Sequence, residues 1–161
     1  MRLTRKPTPA TLLVAAYLAG LPAAVVLGPS AALAVDTMTS TDAPDLASVR
    51  AKIKAKNFSA ALADLKSIAD SVQHPDVYSL MGFSLRKTGD YATALTFYKK
   101  ALDFDPNHKG AREYLGELYV ETGQIDKARE TVATLKKLCP NGCEELSDLE
   151  KAISEAAPKT N

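Results

Sequence analysis

Two cysteines and two histidines are the side chains in this sequence whose chemistry stands out first. Cys139 and Cys143 enclose Pro-Asn-Gly. Because Asn-Gly favours a tight turn, the two Cα atoms can reach the separation of about 4.4–6.8 Å that a disulfide needs. We expect a structural disulfide here. Two alternatives stay open: a free or redox-active pair, although C-x-x-C is the usual redox spacing, and a metal site, which needs two further ligands.

The histidines, His74 and His108, stand 34 residues apart, each just before a predicted helix. Neither belongs to a metal or catalytic motif, since the sequence has no H-x-x-x-H, no G-x-S-x-G and no phosphate-binding loop. We expect both to serve in turns or at the surface. The sequence therefore predicts no catalytic residue, no cofactor site and no metal site, and a protein that is not an enzyme.

The charge balance and the length of the chain limit its possible partners and its number of domains. The 161 residues carry 20 Lys and Arg against 19 Asp and Glu. This balance argues against a protein that holds nucleic acid by neutralising phosphates. The length suits one domain or a short repeat array.

The first residues have the composition of an export signal. Residues 1–9 carry Arg2, Arg5 and Lys6 without an acid, and residues 10–28 carry no charge. The small residues of Ala32-Leu33-Ala34 then form a signal peptidase site. We expect a signal peptide over 1–34, cut after Ala34, and a periplasmic or secreted product.

The alternative is an uncleaved inner-membrane anchor through residues 10–28, which approach the ~20 apolar residues that span a bilayer.

The oxidising compartment implied by export agrees with a disulfide. Residues 35–43 are polar and without periodicity, so they are predicted to be a disordered linker.

The remaining chain repeats itself at an offset of 34 residues, with 75–108 matching 109–142. Identical residues at paired positions are Gly82 and Gly116, Thr88 and Thr122, Gly89 and Gly123, Ala94 and Ala128, Pro106 and Pro140, and Asn107 and Asn141. A glycine inside a helix costs about 1 kcal/mol relative to alanine. Gly82 and Gly116 therefore predict close approach of a neighbouring helix. Gly89 and Gly123 are typical of helix C-termini. Pro106 and Pro140 are predicted to end the second helix of each repeat.

This pattern resembles the tetratricopeptide repeat family. The residues that carry the resemblance are Tyr78, Met81, Gly82, Leu85, Gly89, Ala94 and Pro106 in one repeat and Leu115, Gly116, Gly123, Ala128 and Pro140 in the next. Arg112 departs from it, standing where a large aromatic is usual. Upstream, Lys56-Asn57-Phe58 mirrors Gly89-Asp90-Tyr91 and indicates a degenerate first repeat.

The resemblance implies an all-α, right-handed solenoid of helical hairpins, with about three repeats over 42–74, 75–108 and 109–142 within a domain of residues 44–157. We expect seven helices, over about 44–54, 58–70, 76–87, 91–103, 109–121, 125–138 and 143–156. The last helix presents Leu146, Leu149 and Ile153 at helical spacing. It is predicted to cap the open end of the stack.

In the family that the chain resembles, the first helices of the repeats line a groove that binds a peptide or a partner helix. The corresponding residues here are Ser79, Phe83, Arg86, Lys87, Glu113, Tyr114, Glu117 and Glu121, with Arg50 and Lys54 from the first repeat. We expect Phe83 to be an exposed anchor, and one groove wall to be basic and the other acidic. The alternative is that Glu113, Glu117 and Glu121 are only a solvated face.

Some members of that family clamp a partner's terminal carboxylate with Lys and Asn side chains. The corresponding positions here hold Asp76, Leu80, Gly110 and Tyr114, so that mode of docking is not supported.

The sequence thus predicts an exported scaffold or adaptor that binds another protein or peptide of the cell envelope. It predicts no nucleic-acid partner and no stable membrane span once the signal is removed. Two alternatives remain: an envelope redox or metal factor built on Cys139 and Cys143, and a self-associating structural repeat protein, which makes a homo-oligomer possible.

Overall fold

A computed structural model describes residues 43–157, and in this range all regular structure is helical. The seven helices are α1 (Ala47–Lys54), α2 (Phe58–Ala69), α3 (Pro75–Lys87), α4 (Tyr91–Phe104), α5 (Lys109–Glu121), α6 (Ile125–Leu138) and α7 (Glu144–Ala156). Three hairpins, α1–α2, α3–α4 and α5–α6, stack in chain order, and α7 packs on both α5 and α6. The predicted all-α solenoid of helical hairpins is confirmed.

Three predictions fall on the ends of the chain that the structure leaves undescribed. The signal peptide over 1–34 and the alternative anchor over 10–28 lie outside the described residues, as does the linker over 35–43 except for Ala43. Within the described range, no helix combines the length and the apolar character needed to cross a membrane.

The helix ends agree with the predicted ones to within one residue, except at the start of α1. The prediction began α1 at residue 44, whereas the helix begins at Ala47. Asp45 explains the difference, because its carboxylate accepts a hydrogen bond from the backbone N–H of Ala47 at 2.9 Å. Pro44 and Asp45 thus lie ahead of the helix, and the Asp45 carboxylate satisfies one free N–H of its first turn.

A residue with positive φ reverses the chain inside each hairpin. Gly89 and Gly123 have φ of +88° and +73°, the left-handed conformation that glycine adopts without steric cost. The N–H of the residue after the glycine then donates to the carbonyl of the third residue from the helix end, as in the 3.0 Å bond from Asp90 to Leu85. In the first hairpin Lys56 holds this place with φ of +58°, so the first hairpin makes the same turn without a glycine.

Two of the glycines inside helices, Gly82 and Gly116, mark where a neighbouring helix comes close. A Cβ atom on Gly82 would stand 2.6 Å from two ring carbons of Tyr98 in α4. A Cβ atom on Gly116 would stand 2.7 Å from Cδ1 of Leu149 in α7. Gly82 therefore allows α4, the second helix of its own hairpin, to pack closely. Gly116 allows the capping helix α7 to pack closely against α5.

Small and aliphatic side chains form the core, which continues along the stack. Its most buried members are Val49, Leu65 and Val77 in the first part, Tyr98 and Leu118 in the second, and Leu135 and Leu149 between α6 and α7. This core extends through the capping helix, so α7 is part of the solenoid.

Candidate partner-binding groove

A groove with a volume of about 330 Å³ lies where α1, α3, α5 and α7 meet. We call it the acidic groove. Its lining is Arg50 from α1, then Asp76, Ser79 and Leu80 from α3, His108, Gly110, Glu113 and Tyr114 from α5 and its cap, and Glu144, Glu145 and Asp148 from α7. Five of these side chains are carboxylic acids, so the chemistry of the groove is mainly that of carboxyl groups.

Both histidines cap helices that begin at this groove. Nδ1 of His74 accepts the N–H of Asp76 at 3.2 Å, and Nδ1 of His108 accepts the N–H of Ala111 at 2.9 Å. Since Nδ1 of His108 is an acceptor, its Nε2 carries the proton and donates to the Asp76 carboxylate at 2.8 Å. This hydrogen bond lowers the pKa of Asp76. The two histidines therefore fix the starts of α3 and α5.

Glu113 is partly buried at the groove and is surrounded by other acids. Its burial raises its pKa to about 8, and the negative charges of Glu117, Asp148 and Glu145 add to this rise. Within residues 43–157, no cation lies within ion-pair distance of Glu113, Glu144, Glu145 or Asp148. The α5 and α7 walls thus present acids that the described part of the protein does not neutralise.

Three of the eight predicted groove residues line the acidic groove, namely Ser79, Glu113 and Tyr114. The other five lie further along α3 and α5 and contact one another. These five, Phe83, Arg86, Lys87, Glu117 and Glu121, form what we call the Arg86 cluster. In the first repeat, Arg50 lines the acidic groove and Lys54 does not.

The Arg86 cluster corrects the expectation of one basic and one acidic wall. Arg86 is only 2% exposed. Its guanidinium donates hydrogen bonds to Glu117 and, at 2.6 Å, to Glu121, and its Nε donates to the Tyr98 hydroxyl at 3.3 Å. The predicted basic and acidic residues therefore neutralise each other between α3 and α5, and Arg86 offers no free charge to a partner.

Phe83 corrects the expectation of an exposed aromatic anchor. Its half-buried ring lies 6.2 Å from the Phe58 ring of α2 and 4.9 Å from the Tyr114 ring of α5, measured between centroids. The Arg86 guanidinium carbon lies 5.4 Å from its centroid, within cation–π range. Phe83 thus packs between α2 of the repeat before it and α5 of the repeat after it, because it lies off the apolar stripe that α3 buries within its own hairpin.

The acids of α7 are the groove residues that sequence reasoning missed. Glu144, Glu145 and Asp148 read as the solvated first turns of a capping helix. No local sequence signal marks them, because their place depends on the packing of Leu149 against Gly116, which sets α7 against α5. The positions of the family's carboxylate clamp, by contrast, do line the groove: Asp76, Leu80, Gly110 and Tyr114. These four positions contain one acidic residue, Asp76, and no Lys or Asn.

The two cysteines join the end of α6 to the start of α7. Their sulfur atoms lie at disulfide-bonding distance, and their Cα atoms are 5.9 Å apart. Within the described residues, no three His, Cys, Asp or Glu side chains are grouped so that they could hold a metal ion.

Comparison with known proteins agrees with this architecture. Residues 85–153 match the family described as Tetratricopeptide repeat, a segment that runs from the end of α3 to the capping helix. No curated protein matches the chain. The matched residues are thus similar to tetratricopeptide repeats in sequence as well as in their stacked helical hairpins, which supports a tetratricopeptide repeat family for this chain.

Proposed function

We propose that this protein is an exported scaffold or adaptor of the cell envelope that binds a segment of another protein in the acidic groove. Tetratricopeptide repeats are protein-interaction modules, so the family match supports the coarser part of the proposal. The observation that carries the finer part is the groove itself, which gathers side chains from four helices at one place. A surface built from four separate elements of a solenoid is suited to holding an extended peptide.

Photocrosslinking tests the groove. A photoreactive phenylalanine analogue replaces Tyr114 in the groove or, as a matched control, Tyr91, which is 38% exposed at the start of α4 and outside the groove. Both chains are expressed in the native cells. We expect a discrete protein adduct at residue 114 and none at residue 91. No adduct at 114, or the same adducts at both places, would contradict binding in the groove.

Export rests on the composition of residues 1–34 and has its own test. The protein is recovered from periplasmic and membrane fractions and its first residues are sequenced. Cleavage after Ala34 predicts a chain that begins at Val35. A chain that keeps the apolar residues 10–28 and stays with the membrane fraction would instead favour the anchored alternative.

A further inference from the structure

The carboxyl groups of the acidic groove come from three helices and face one common space. Asp76 comes from α3, Glu113 from α5, and Glu144, Glu145 and Asp148 from α7. Asp76 already accepts a hydrogen bond from His108, whereas the other four acids have no ion-pair partner within residues 43–157. Arg50 of α1 lines the same groove but forms an ion pair with none of these acids. Five carboxyl groups beside one guanidinium raise the free energy of the groove, and a further bound cation would lower it.

Ser79 gives a second and independent sign of a ligand. Its residue is only 2% exposed, and its side chain lines the groove. Among the described residues its hydroxyl makes no hydrogen bond, whereas the hydroxyl of its neighbour Ser84 donates to the Leu80 carbonyl at 2.9 Å. Since no fully buried side-chain oxygen or nitrogen of the described residues lacks a hydrogen-bond partner, this hydroxyl keeps access to the space of the groove. The Ser79 hydroxyl is thus free to accept a hydrogen bond from a group that enters the groove.

The arrangement suits an extended organic cation better than a metal ion. No three acids of the described chain are grouped as metal ligands; the carboxyl groups spread over the α5 and α7 walls. The half-buried Tyr114 lines the same groove, and aromatic rings attract ammonium and guanidinium groups. At about 30 Å³ per water molecule, the 330 Å³ of the groove leaves room for one long side chain.

We propose that the acidic groove binds a Lys or Arg side chain of the partner protein, between Glu113 of α5 and the Glu145 and Asp148 carboxylates of α7. The Ser79 hydroxyl accepts a hydrogen bond from that cation at the α3 wall. This inference rests on the proposed function, to which it adds the chemistry of the partner. It assigns a cationic ligand to the same groove that the positions of the family's carboxylate clamp line.

Binding should release a proton in the neutral range. Glu113, with a pKa near 8, faces Glu117 of its own helix, Glu145 and Asp148 of α7 and Arg86 of α3. A bound cation favours the carboxylate form of Glu113, so affinity should rise between about pH 6 and pH 9 as this group loses its proton. Glu113→Gln should remove most of this rise.

The probe is a fluorescein-labelled hexa-arginine peptide, because its guanidinium groups keep their charge over this pH range. Binding to the exported full chain is followed by fluorescence anisotropy at low salt, with hexaglutamate as the opposite probe. The double variant Glu145→Gln/Asp148→Asn should weaken binding about tenfold, the loss of two partly screened charge pairs. Ser79→Ala should weaken it about threefold, the loss of one hydrogen bond.

The matched control removes the same charge from the same helix outside the groove. Glu150 and Glu155 lie in α7 but do not line the acidic groove, and Glu150→Gln/Glu155→Gln should change affinity less than about twofold. Equal weakening by the two double variants would mean diffuse attraction and would overturn the inference. Absence of hexa-arginine binding, or displacement of the peptide by stoichiometric Ca²⁺, would overturn it as well.

The two proposals fail separately. If residue 114 yields no protein adduct, the proposed function falls whatever the peptide does. If an adduct forms at residue 114 and its yield is unchanged by Glu145→Gln/Asp148→Asn, the protein is an adaptor whose groove does not select a cation. The expected result is an adduct at residue 114 that this double variant greatly reduces.

Discussion

Gly82→Ala tests the packing of the central hairpin with a single methyl group. The added Cβ would stand 2.6 Å from Cδ1 and Cε1 of Tyr98, whereas carbon atoms attract best at about 3.5–4.0 Å. The Tyr98 ring is fully buried, and its hydroxyl accepts a hydrogen bond from Nε of Arg86. The ring therefore cannot withdraw without breaking that bond or displacing the core.

Two opposing effects set the magnitude. Alanine is favoured over glycine within a helix by about 1 kcal/mol. Overpacking a filled core costs about 1–3 kcal/mol, and the upper end applies because the clash involves two atoms of a rigid, anchored ring. We expect Gly82→Ala to lower the free energy of unfolding by about 2 kcal/mol, with a fall in Tm of roughly 10 °C for a folded region of this size.

Two other glycines of the chain serve as matched controls for the same substitution. Gly116→Ala meets the methyl groups at the end of the Leu149 side chain, which no hydrogen bond holds in place as it holds Tyr98, so the loss should be smaller than at Gly82. Gly110→Ala meets only the His108 ring, with Cε1 at 3.6 Å and Nδ1 at 3.8 Å, which are ordinary contacts. At Gly110 no steric clash offsets the higher helix propensity of alanine, so the free energy of unfolding should rise by up to about 1 kcal/mol.

The assay is urea unfolding followed by far-ultraviolet circular dichroism on the purified proteins. The expected order of stability is Gly110→Ala highest, then the parent chain, then Gly116→Ala, with Gly82→Ala lowest. A Gly82→Ala protein as stable as the parent would refute the reasoning, because it would show that Tyr98 moves freely. A Gly110→Ala protein as unstable as Gly82→Ala would refute it too, since helix glycines would then matter for another reason.

Further predictions concern the hairpin turn, the Arg86 cluster, Glu113 and the cysteines. Lys56→Gly should raise the free energy of unfolding by about 1 kcal/mol in urea titrations, because glycine removes the steric cost of positive φ. Arg86→Met should lower it by about 2 kcal/mol; a fully buried ion pair would lose more, but water reaches the glutamates left behind. The raised pKa of Glu113 means that the folded state keeps a proton that the unfolded state releases above about pH 4.5, so stability should fall between pH 4.5 and 8, and Glu113→Gln should flatten this fall in titrations across that range. Cys139→Ser/Cys143→Ser should leave α1–α6 folded but speed amide hydrogen exchange in α7, because the disulfide joins that helix to α6; unchanged exchange in α7 would contradict this.

The fold could be predicted from the sequence because its signals are local and repeated. Glycine and proline mark the helix ends at a fixed spacing, as Gly89 and Gly123 show in the turns between paired helices. Lys56 shows the limit of that rule, since the first hairpin makes the same turn with a residue that carries no glycine signal. The turn with positive φ is thus kept in the first hairpin even where the glycine that usually marks it is replaced by Lys56.

The chemistry of the groove could be predicted only in part. Of the residues assigned to a groove on the first helices, Ser79, Glu113 and Tyr114 line the acidic groove, and their role in binding stays a prediction. The neutralisation of Arg86 could not be foreseen, because its partners stand 31 and 35 residues away and depend on the register between repeats. The α7 wall depends on how a helix without repeat character docks, which spacing alone does not specify.

The docking of α7 also bears on how such a protein can evolve. Repeat arrays commonly lengthen by duplicating a hairpin, and the groove lengthens with them. Here the helix that closes the array also carries Glu144, Glu145 and Asp148 to the groove. A fourth hairpin inserted between α6 and α7 would move these acids away from Ser79 and Glu113. Array length and groove chemistry are thus inherited together, so duplication would change the charge of the groove.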